Sequence, residues 1–137
     1  MHLDPSAFLA DPELIQALEK GATPVLCDAD RVLFRQGDPS IGLFILNLGK
    51  VTLSMDSGSN EPTLNCEASA GSLLGLPGVI ANRPYSLTAI ALRAAHVSFI
   101  ARDDFNALMQ SNPHLSIMIL QVLAAEVRSA RLALTQL

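Results

Sequence analysis

The sequence predicts a mainly β domain with flanking helices, in which the strands form an antiparallel sandwich or barrel. Three observations lead to this fold class. Short apolar and β-branched runs, about ten residues apart and separated by turn residues, fill the chain from 24 to 101. A helical pattern precedes this region. A second, much longer helical pattern follows it and runs to the C-terminus.

Length and composition are those of a single domain covering residues 1–137. Half of the residues are hydrophobic and the mean hydropathy is +0.35, which is enough apolar material for a core. No apolar run reaches the roughly 18 residues that a membrane span requires, so we expect no membrane insertion. With a net charge of −4, the chain by itself is a poor candidate for binding DNA. Two isolated cysteines and the absence of a secretory signal pattern fit the cytoplasm.

The N-terminal helix is predicted over residues 12–20. Asp11 is a suitable N-cap residue, and Pro12 fits the first helical turn because that position needs no backbone donor. Within the β region, two strands are predicted around a turn at 47–50. The polar stretch 56–62 is predicted to join the strands of a hairpin.

Residues 102–137 are predicted to form two helices, the first capped by Asp103 or Asp104 and the second beginning at Pro113. The long second helix carries two apolar stripes. One alternates in steps of three and four, as in a coiled-coil seam, and consists of Leu120, Leu123, Val127, Ala130, Leu134 and Leu137. The other consists of Leu115, Met118, Ile119 and Val122. One stripe can pack on the β domain while the other needs a partner, so we expect a parallel homodimer; a single wide core-facing stripe is the alternative.

Three segments together resemble the cyclic nucleotide-binding domain, and more narrowly the sensor domain of the Crp/Fnr family. They are VLFRQGDPSIGLFILNLGKVTLS, GSLLGLPGVIANRPYSLTAIA and FNALMQSNPHLSIMILQVLAAEVRSA. The second segment corresponds to the family's phosphate-binding cassette, at residues 73–89. The resemblance implies a double-stranded β-helix jelly roll followed by a long C-terminal dimerisation helix. It also implies a cyclic nucleotide as the ligand.

The cassette departs from the family pattern at two positions. In members that bind cyclic AMP or cyclic GMP, a glutamate contacts the ribose and an arginine pairs with the cyclic phosphate. Here Leu76 stands in place of the glutamate and Tyr85 in place of the arginine. The candidate ligand-binding residues are Gly75, Leu76, Pro77, Arg83, Tyr85, Ser86, Leu87 and Thr88. We therefore expect ligand binding to be altered or lost.

Three outcomes for the pocket follow from these departures. Arg83, or Arg128 or Arg131 on the long helix, could supply the missing positive charge. The pocket could instead be more apolar and take a neutral or weakly polar ligand. In the third case, the Leu76 and Tyr85 side chains fill the old cavity.

The sequence gives little support for metal binding, an iron–sulfur cluster or catalysis. Its histidines, His2, His96 and His114, are far apart and form no metal-ligand pair. Cys27 and Cys66 fit small core residues better than ligands of an iron–sulfur cluster. No nucleophile–base pair or Walker-type phosphate loop appears, so we expect neither a metal nor an enzyme activity.

The sequence thus predicts a regulatory or sensor module of Crp/Fnr type that signals through a C-terminal helix dimer. Two alternatives remain open. The chain could be a constitutive dimerisation or scaffold protein with a filled pocket. It could also be the sensor fragment of a DNA-binding transcription regulator, in which a helix-turn-helix would follow the long helix.

Overall fold

The computed structural model describes residues 2–56 and 63–135. A short 3₁₀ helix at Pro5–Phe8 and helix α1 at Pro12–Glu19 precede the strands. The strands are β1 Thr23–Val25, β2 Arg31–Phe34, β3 Gly42–Leu48, β4 Val51–Met55, β5 Leu64–Ala68, β6 Ser72–Leu74, β7 Thr88–Ala91 and β8 His96–Ala101. The remaining helices are α2 Leu76–Ala81 between β6 and β7, and α3 Arg102–Ser111 and α4 Pro113–Leu134 after the strands.

The eight strands form two four-stranded antiparallel sheets, which confirms the predicted jelly roll. One sheet has the order β1-β8-β3-β6 and the other the order β2-β7-β4-β5. The core contains fully buried residues from both sheets, including Leu43, Ile45, Leu53 and Leu73. Residues 42–46 of β3 are all buried, so both faces of this strand are covered. Helix α3 contacts β3 and β8, and α1 also contacts β8.

The predicted turn at 47–50 joins two strands, β3 and β4, but these strands do not pair as a hairpin. Both strands form around residues 47–50, but β3 lies in one sheet and β4 in the other. Gly49 allows this change of sheet because its φ is +91° and a Cβ atom there would lie 2.9 Å from the Ala95 Cα. The hairpin predicted around 56–62 is confirmed in its strands, since β4 pairs with β5. Residues 57–62 lie outside the described residues.

The first residues of α1 and α3 test the predicted N-caps. Asp11 caps α1 as predicted, because its carboxylate accepts a hydrogen bond of 2.8 Å from the Glu13 amide. The predicted cap of α3 is wrong. Ala101 is the N-cap residue, while Asp103 and Asp104 lie in the first turn, where negative charge favours the helix dipole.

Helix α4 buries one stripe against the rest of the chain. The buried residues are Leu115, Ile119, Val122, Glu126, Ser129 and Ala133. The N-terminal segment packs against this stripe, and the Asp4 amide donates to the Ser129 hydroxyl over 2.9 Å. Along the predicted seam, Leu120, Val127 and Leu134 are exposed, whereas Leu123 and Ala130 are half-buried. Leu137 lies outside the described residues. Among the helices of residues 2–56 and 63–135, none has the length and hydropathy to cross a membrane.

Candidate functional site

The cassette begins with a tight connection between β6 and α2. Gly75 has a φ of +92° and is the N-cap residue of α2. A Cβ atom at this position would lie 2.7 Å from Cε1 of Tyr85, so the ring and the glycine backbone are in close contact. Gly75 suits this position because both the left-handed backbone and the close approach of the Tyr85 ring require a residue without a Cβ atom.

Leu76 and Tyr85, where the resemblance leads us to expect a glutamate and an arginine, are part of the hydrophobic core. Leu76 is 0% exposed and Tyr85 is 3% exposed. The Tyr85 ring stacks on Phe34, with ring centroids 4.0 Å apart. These side chains therefore occupy interior space in the jelly roll.

The Tyr85 hydroxyl is fully hydrogen-bonded to the start of β3. It donates to the Gly42 carbonyl over 2.6 Å and accepts from the Ile41 and Gly42 amides, each over 3.2 Å. Its backbone also pairs with the turn after β2, where the Tyr85 amide donates to the Asp38 carbonyl. A phenol whose polar atom has three protein partners has little capacity left for a ligand.

Helix α2 is fixed to its neighbours through Ser40 and Arg102. The Ser40 hydroxyl donates to the Gly78 carbonyl over 2.9 Å, and the Arg102 guanidinium donates to the Ser40 carbonyl and hydroxyl. A Cβ atom on Gly78 would lie 2.9 Å from the Arg83 carbonyl oxygen. The cassette is thus held close to α3 by polar contacts that the sequence motifs did not reveal.

A cavity of about 530 Å³ lies between the cassette and α4. It is lined by Leu3, Phe8, Met55, Pro77, Ser86, Leu87, Glu126, Val127, Ala130, Arg131, Leu134 and Thr135. This volume falls within the range typical of small-molecule sites. Most of the lining is aliphatic or aromatic, and the N-terminal segment, the cassette and α4 all contribute to it.

The candidate cassette residues divide into two groups around this cavity. Pro77, Ser86 and Leu87 line it. The other five do not, and they are Gly75, Leu76, Arg83, Tyr85 and Thr88.

The side chains considered as replacements for the missing charge also differ in position. Arg83 is exposed and does not line the cavity. Thr88, another candidate ligand-binding residue, does not line it either, and its hydroxyl accepts a hydrogen bond of 2.9 Å from the Gln36 amide. Arg131 lines the cavity, whereas Arg128 lines a different one near the N-terminal segment. Arg131 is therefore the arginine of α4 that is placed to meet a molecule in the cavity.

Glu126 is a site residue that the sequence analysis missed. It lines the cavity, is 5% exposed, and its Oε1 atom has no hydrogen-bond partner among the described residues. Burial raises the pKa of this carboxyl well above its ordinary value, because the charged form loses its hydration. The signal was present: Glu126 continues the spacing of the buried stripe at Ile119 and Val122, where an apolar residue is expected.

The cysteines and histidines give no support for a metal site among the described residues. Burial raises the pKa of the Cys66 thiol to about 11, so the thiol stays protonated at neutral pH. Cys27 is buried after the end of β1, and His96 is exposed at the start of β8. Within residues 2–56 and 63–135, no group of three His, Cys, Asp or Glu side chains is arranged to hold a metal ion.

Comparison with known proteins identifies the family and the fold. The sequence model of the cyclic nucleotide-binding domain matches residues 24–112, well over half of the chain. The chain belongs to the cyclic nucleotide-binding domain family. The matched span includes residues 73–89, the segment predicted to be the cassette.

Curated relatives of this family member are much longer proteins. Lysophospholipase nte1 of Neurospora crassa is 26% identical over 118 residues, which are 86% of this chain but 8% of that protein. Lysophospholipase nte1 of Aspergillus fumigatus is 25% identical over 117 residues, again 8% of its length. The similarity therefore covers one small region of each enzyme.

Solved structures share the fold across nearly the whole chain. The catabolite activator protein of Thermus thermophilus has a TM-score of 0.76 and 25% identity, covering 97% of this chain and 62% of that one. The N-terminal domain of a Streptomyces coelicolor transcriptional regulator has a TM-score of 0.64 at 22% identity, covering 90% of this chain and 87% of that one. The regulatory domain of Toxoplasma gondii PKA, solved with cAMP, has a TM-score of 0.65 at 20% identity, covering 88% of this chain and 43% of that one. The chain therefore has the fold of a Crp-type sensor domain of this family.

Proposed function

We propose that the chain is a dimeric sensor module in which the contacts to a cyclic nucleotide have been lost while a ligand cavity remains. The observation that carries this proposal is the separation of the cavity from Leu76 and Tyr85. These replacements are buried in the core, whereas about 530 Å³ stays open between Pro77, Ser86 and Leu87 of the cassette and helix α4. The proposed role is binding and signalling, without an enzymatic reaction, in the cytoplasm.

The size of the loss can be judged from the contacts that a cyclic nucleotide would need. Each hydrogen bond to a charged group contributes roughly 1.5–3 kcal/mol. Losing both the glutamate and the arginine would therefore weaken binding by roughly a hundred- to ten-thousandfold. Arg131 lines the cavity, but it is on α4 and not in the cassette that binds the phosphate in the family. We propose that it does not restore the lost affinity.

The proposed dimer forms along the exposed stripe of α4. Leu120, Val127 and Leu134 are large apolar side chains that are exposed in the single chain. Val127, Ala130 and Leu134 belong both to this seam and to the wall of the cavity. Filling the cavity would therefore act on the same residues that face the partner, which couples ligand occupancy to the arrangement of the dimer.

Calorimetric titration with cyclic AMP and cyclic GMP tests the loss of nucleotide binding. We expect no micromolar binding, and 5′-AMP provides a control for heats that any nucleotide would give. Micromolar binding of either cyclic nucleotide would contradict the proposal and would show that another arginine replaces the missing contact.

A constitutive scaffold is the second candidate function, and the complete hydrogen bonding of the Tyr85 hydroxyl favours it. In this case the chain would be dimeric, and no small molecule would raise its melting temperature. A sensor gains thermal stability when its ligand binds the folded state. A longer DNA-binding regulator that contains this chain is compatible with either role, since the match covers 62% of the Thermus thermophilus protein. We propose that this chain by itself does not bind DNA.

A further inference from the structure

The cavity beside α4 has one buried polar group without a partner. Glu126 projects from the stripe of α4 that packs on the rest of the chain, and its Oε1 atom makes no hydrogen bond among the described residues. The polar side chains that also line the cavity are Ser86, Arg131 and Thr135, all of which are exposed. Buried carboxyl oxygens in proteins are usually hydrogen-bonded, so the Glu126 carboxyl is a candidate for contact with a bound molecule.

The chemistry of a carboxyl group limits what such a molecule can offer. An ionised carboxylate only accepts hydrogen bonds, and a protonated carboxyl group keeps an accepting oxygen. A donor on the ligand therefore satisfies Glu126 in either state. An ether has no proton to give, so the accepting carboxyl oxygen stays without a partner even when a protonated carboxyl donates to the ether, and a hydrocarbon of the same size makes no hydrogen bond at all.

The same surroundings disfavour charged ligands. The walls formed by Leu3, Phe8, Met55 and Leu87 cannot hydrate an ion, so a charge must find a counter-charge in the cavity. An anion would have Arg131 as its counter-charge among the lining residues, and because that side chain is exposed, water screens the pair. A cation would lie near Arg131 and face a carboxyl that burial holds toward its neutral form.

We propose that the cavity binds an uncharged, largely apolar molecule that donates a hydrogen bond to Glu126. This inference rests on the proposed sensor function and names the ligand chemistry of the same site. The apolar walls bind the body of the molecule, and the Glu126 carboxyl selects for its hydroxyl or amide N–H donor.

Two isomers of equal size test this selection. 1-Octanol and methyl heptyl ether have the same atoms, but only the alcohol donates a hydrogen bond. Calorimetric titration of the full chain is expected to show that the alcohol binds about tenfold more tightly, the difference that one satisfied hydrogen bond gives. Octanoate and octylammonium, with matched chains and opposite charges, are expected to bind more weakly than the alcohol.

Variants at Glu126 assign the selection to this residue. Glu126→Gln keeps an accepting oxygen and should retain the preference for the alcohol, whereas Glu126→Leu should bind both isomers equally. Glu67→Gln, on the exposed face of β5, is the matched control and should behave as the wild type.

Several results would overturn the inference. Equal binding of the two isomers by the wild type, no binding of any of the four probes, or tighter binding of either ion would each do so. A preference for the alcohol that persists in Glu126→Leu would have the same meaning. None of these results bears on the loss of nucleotide contacts, which only cyclic AMP or cyclic GMP binding would contradict.

Discussion

Tyr85 and Glu126 are both polar side chains buried near the cassette, yet their surroundings differ. The Tyr85 hydroxyl has three backbone partners in β3 and the residue before it, and its ring stacks on Phe34. The Glu126 Oε1 atom has no partner among the described residues, and the side chain borders a cavity of about 530 Å³.

This difference separates the structural role of Tyr85 from the binding role proposed for Glu126. A buried polar group that is fully hydrogen-bonded contributes to folding, whereas an unpaired one costs free energy until something binds it. In the proposed function, the position of Tyr85, predicted to correspond to the family's phosphate contact, belongs to the core, and Glu126 of α4 is the polar group left for a ligand.

Returning a charge to the cassette should have the largest effect. Leu76→Glu would place a carboxylate at a position that is 0% exposed, and we expect a loss of at least about 3 kcal/mol in the free energy of unfolding. Urea denaturation measures this change. Leu26→Glu, at a position that is 70% exposed, is the matched control and should change stability by less than about 0.5 kcal/mol. A stable Leu76→Glu protein would show that the cassette is less closed than the Tyr85 contacts imply.

The seam of α4 can be tested by a charge at its centre. Val127 is 56% exposed in the single chain, and Val127→Asp would bring two carboxylates together across a parallel dimer. We expect dimer affinity to fall by at least about a hundredfold, as measured by sedimentation equilibrium. Gln121→Asp places the same charge outside the seam, at an exposed position, and should leave the dimer intact. An unchanged Val127→Asp dimer would remove the proposed interface.

Removal of the Tyr85 hydroxyl tests whether its hydrogen bonds stabilise the fold. Tyr85→Phe keeps the stacked ring but leaves the Ile41 and Gly42 amides without their acceptor. We expect the free energy of unfolding to fall by about 1–3 kcal/mol in thermal or urea denaturation. Thr23→Val removes an exposed hydroxyl with a single 3.5 Å bond and should have little effect. If the two variants had equal free energies of unfolding, the hydrogen bonds of the Tyr85 hydroxyl would not contribute to stability.

The pH dependence of stability tests whether burial raises the pKa of the Glu126 carboxyl. Because the pKa of Glu126 is raised by burial, its favourable contribution is complete below the unfolded-state value of about 4.3 and is lost as pH rises through the folded-state pKa. The melting temperature of Glu126→Gln should therefore fall less than that of the wild type between acidic and alkaline pH. Glu67→Gln should follow the wild type. Parallel curves for all three proteins would show that Glu126 titrates normally.

Much of the fold and part of the site could be predicted from the sequence. Turn residues and apolar runs predicted an antiparallel sandwich or barrel, and the family resemblance specified the jelly roll. Asp11 predicted the start of α1, and Pro113 predicted the start of α4. The strands that pair with β3 could not be predicted from the sequence, because a sharp local turn is compatible with a hairpin or with a change of sheet. Glu126 was missed because residue spacing shows which face of a helix is buried but not which partner each buried group finds.

The sequence by itself determined the family and the order of elements, and it predicted that Leu76 and Tyr85 stand where the cassette would have a glutamate and an arginine. These properties depend on residue identity and on local periodicity, which the chain carries in its linear order. Only the tertiary structure decided that Leu76 and Tyr85 lie in the core while a cavity remains beside α4. The burial and hydrogen bonding of a side chain depend on segments far apart in sequence, here β3, the cassette and α4, and the folded packing alone brings them together.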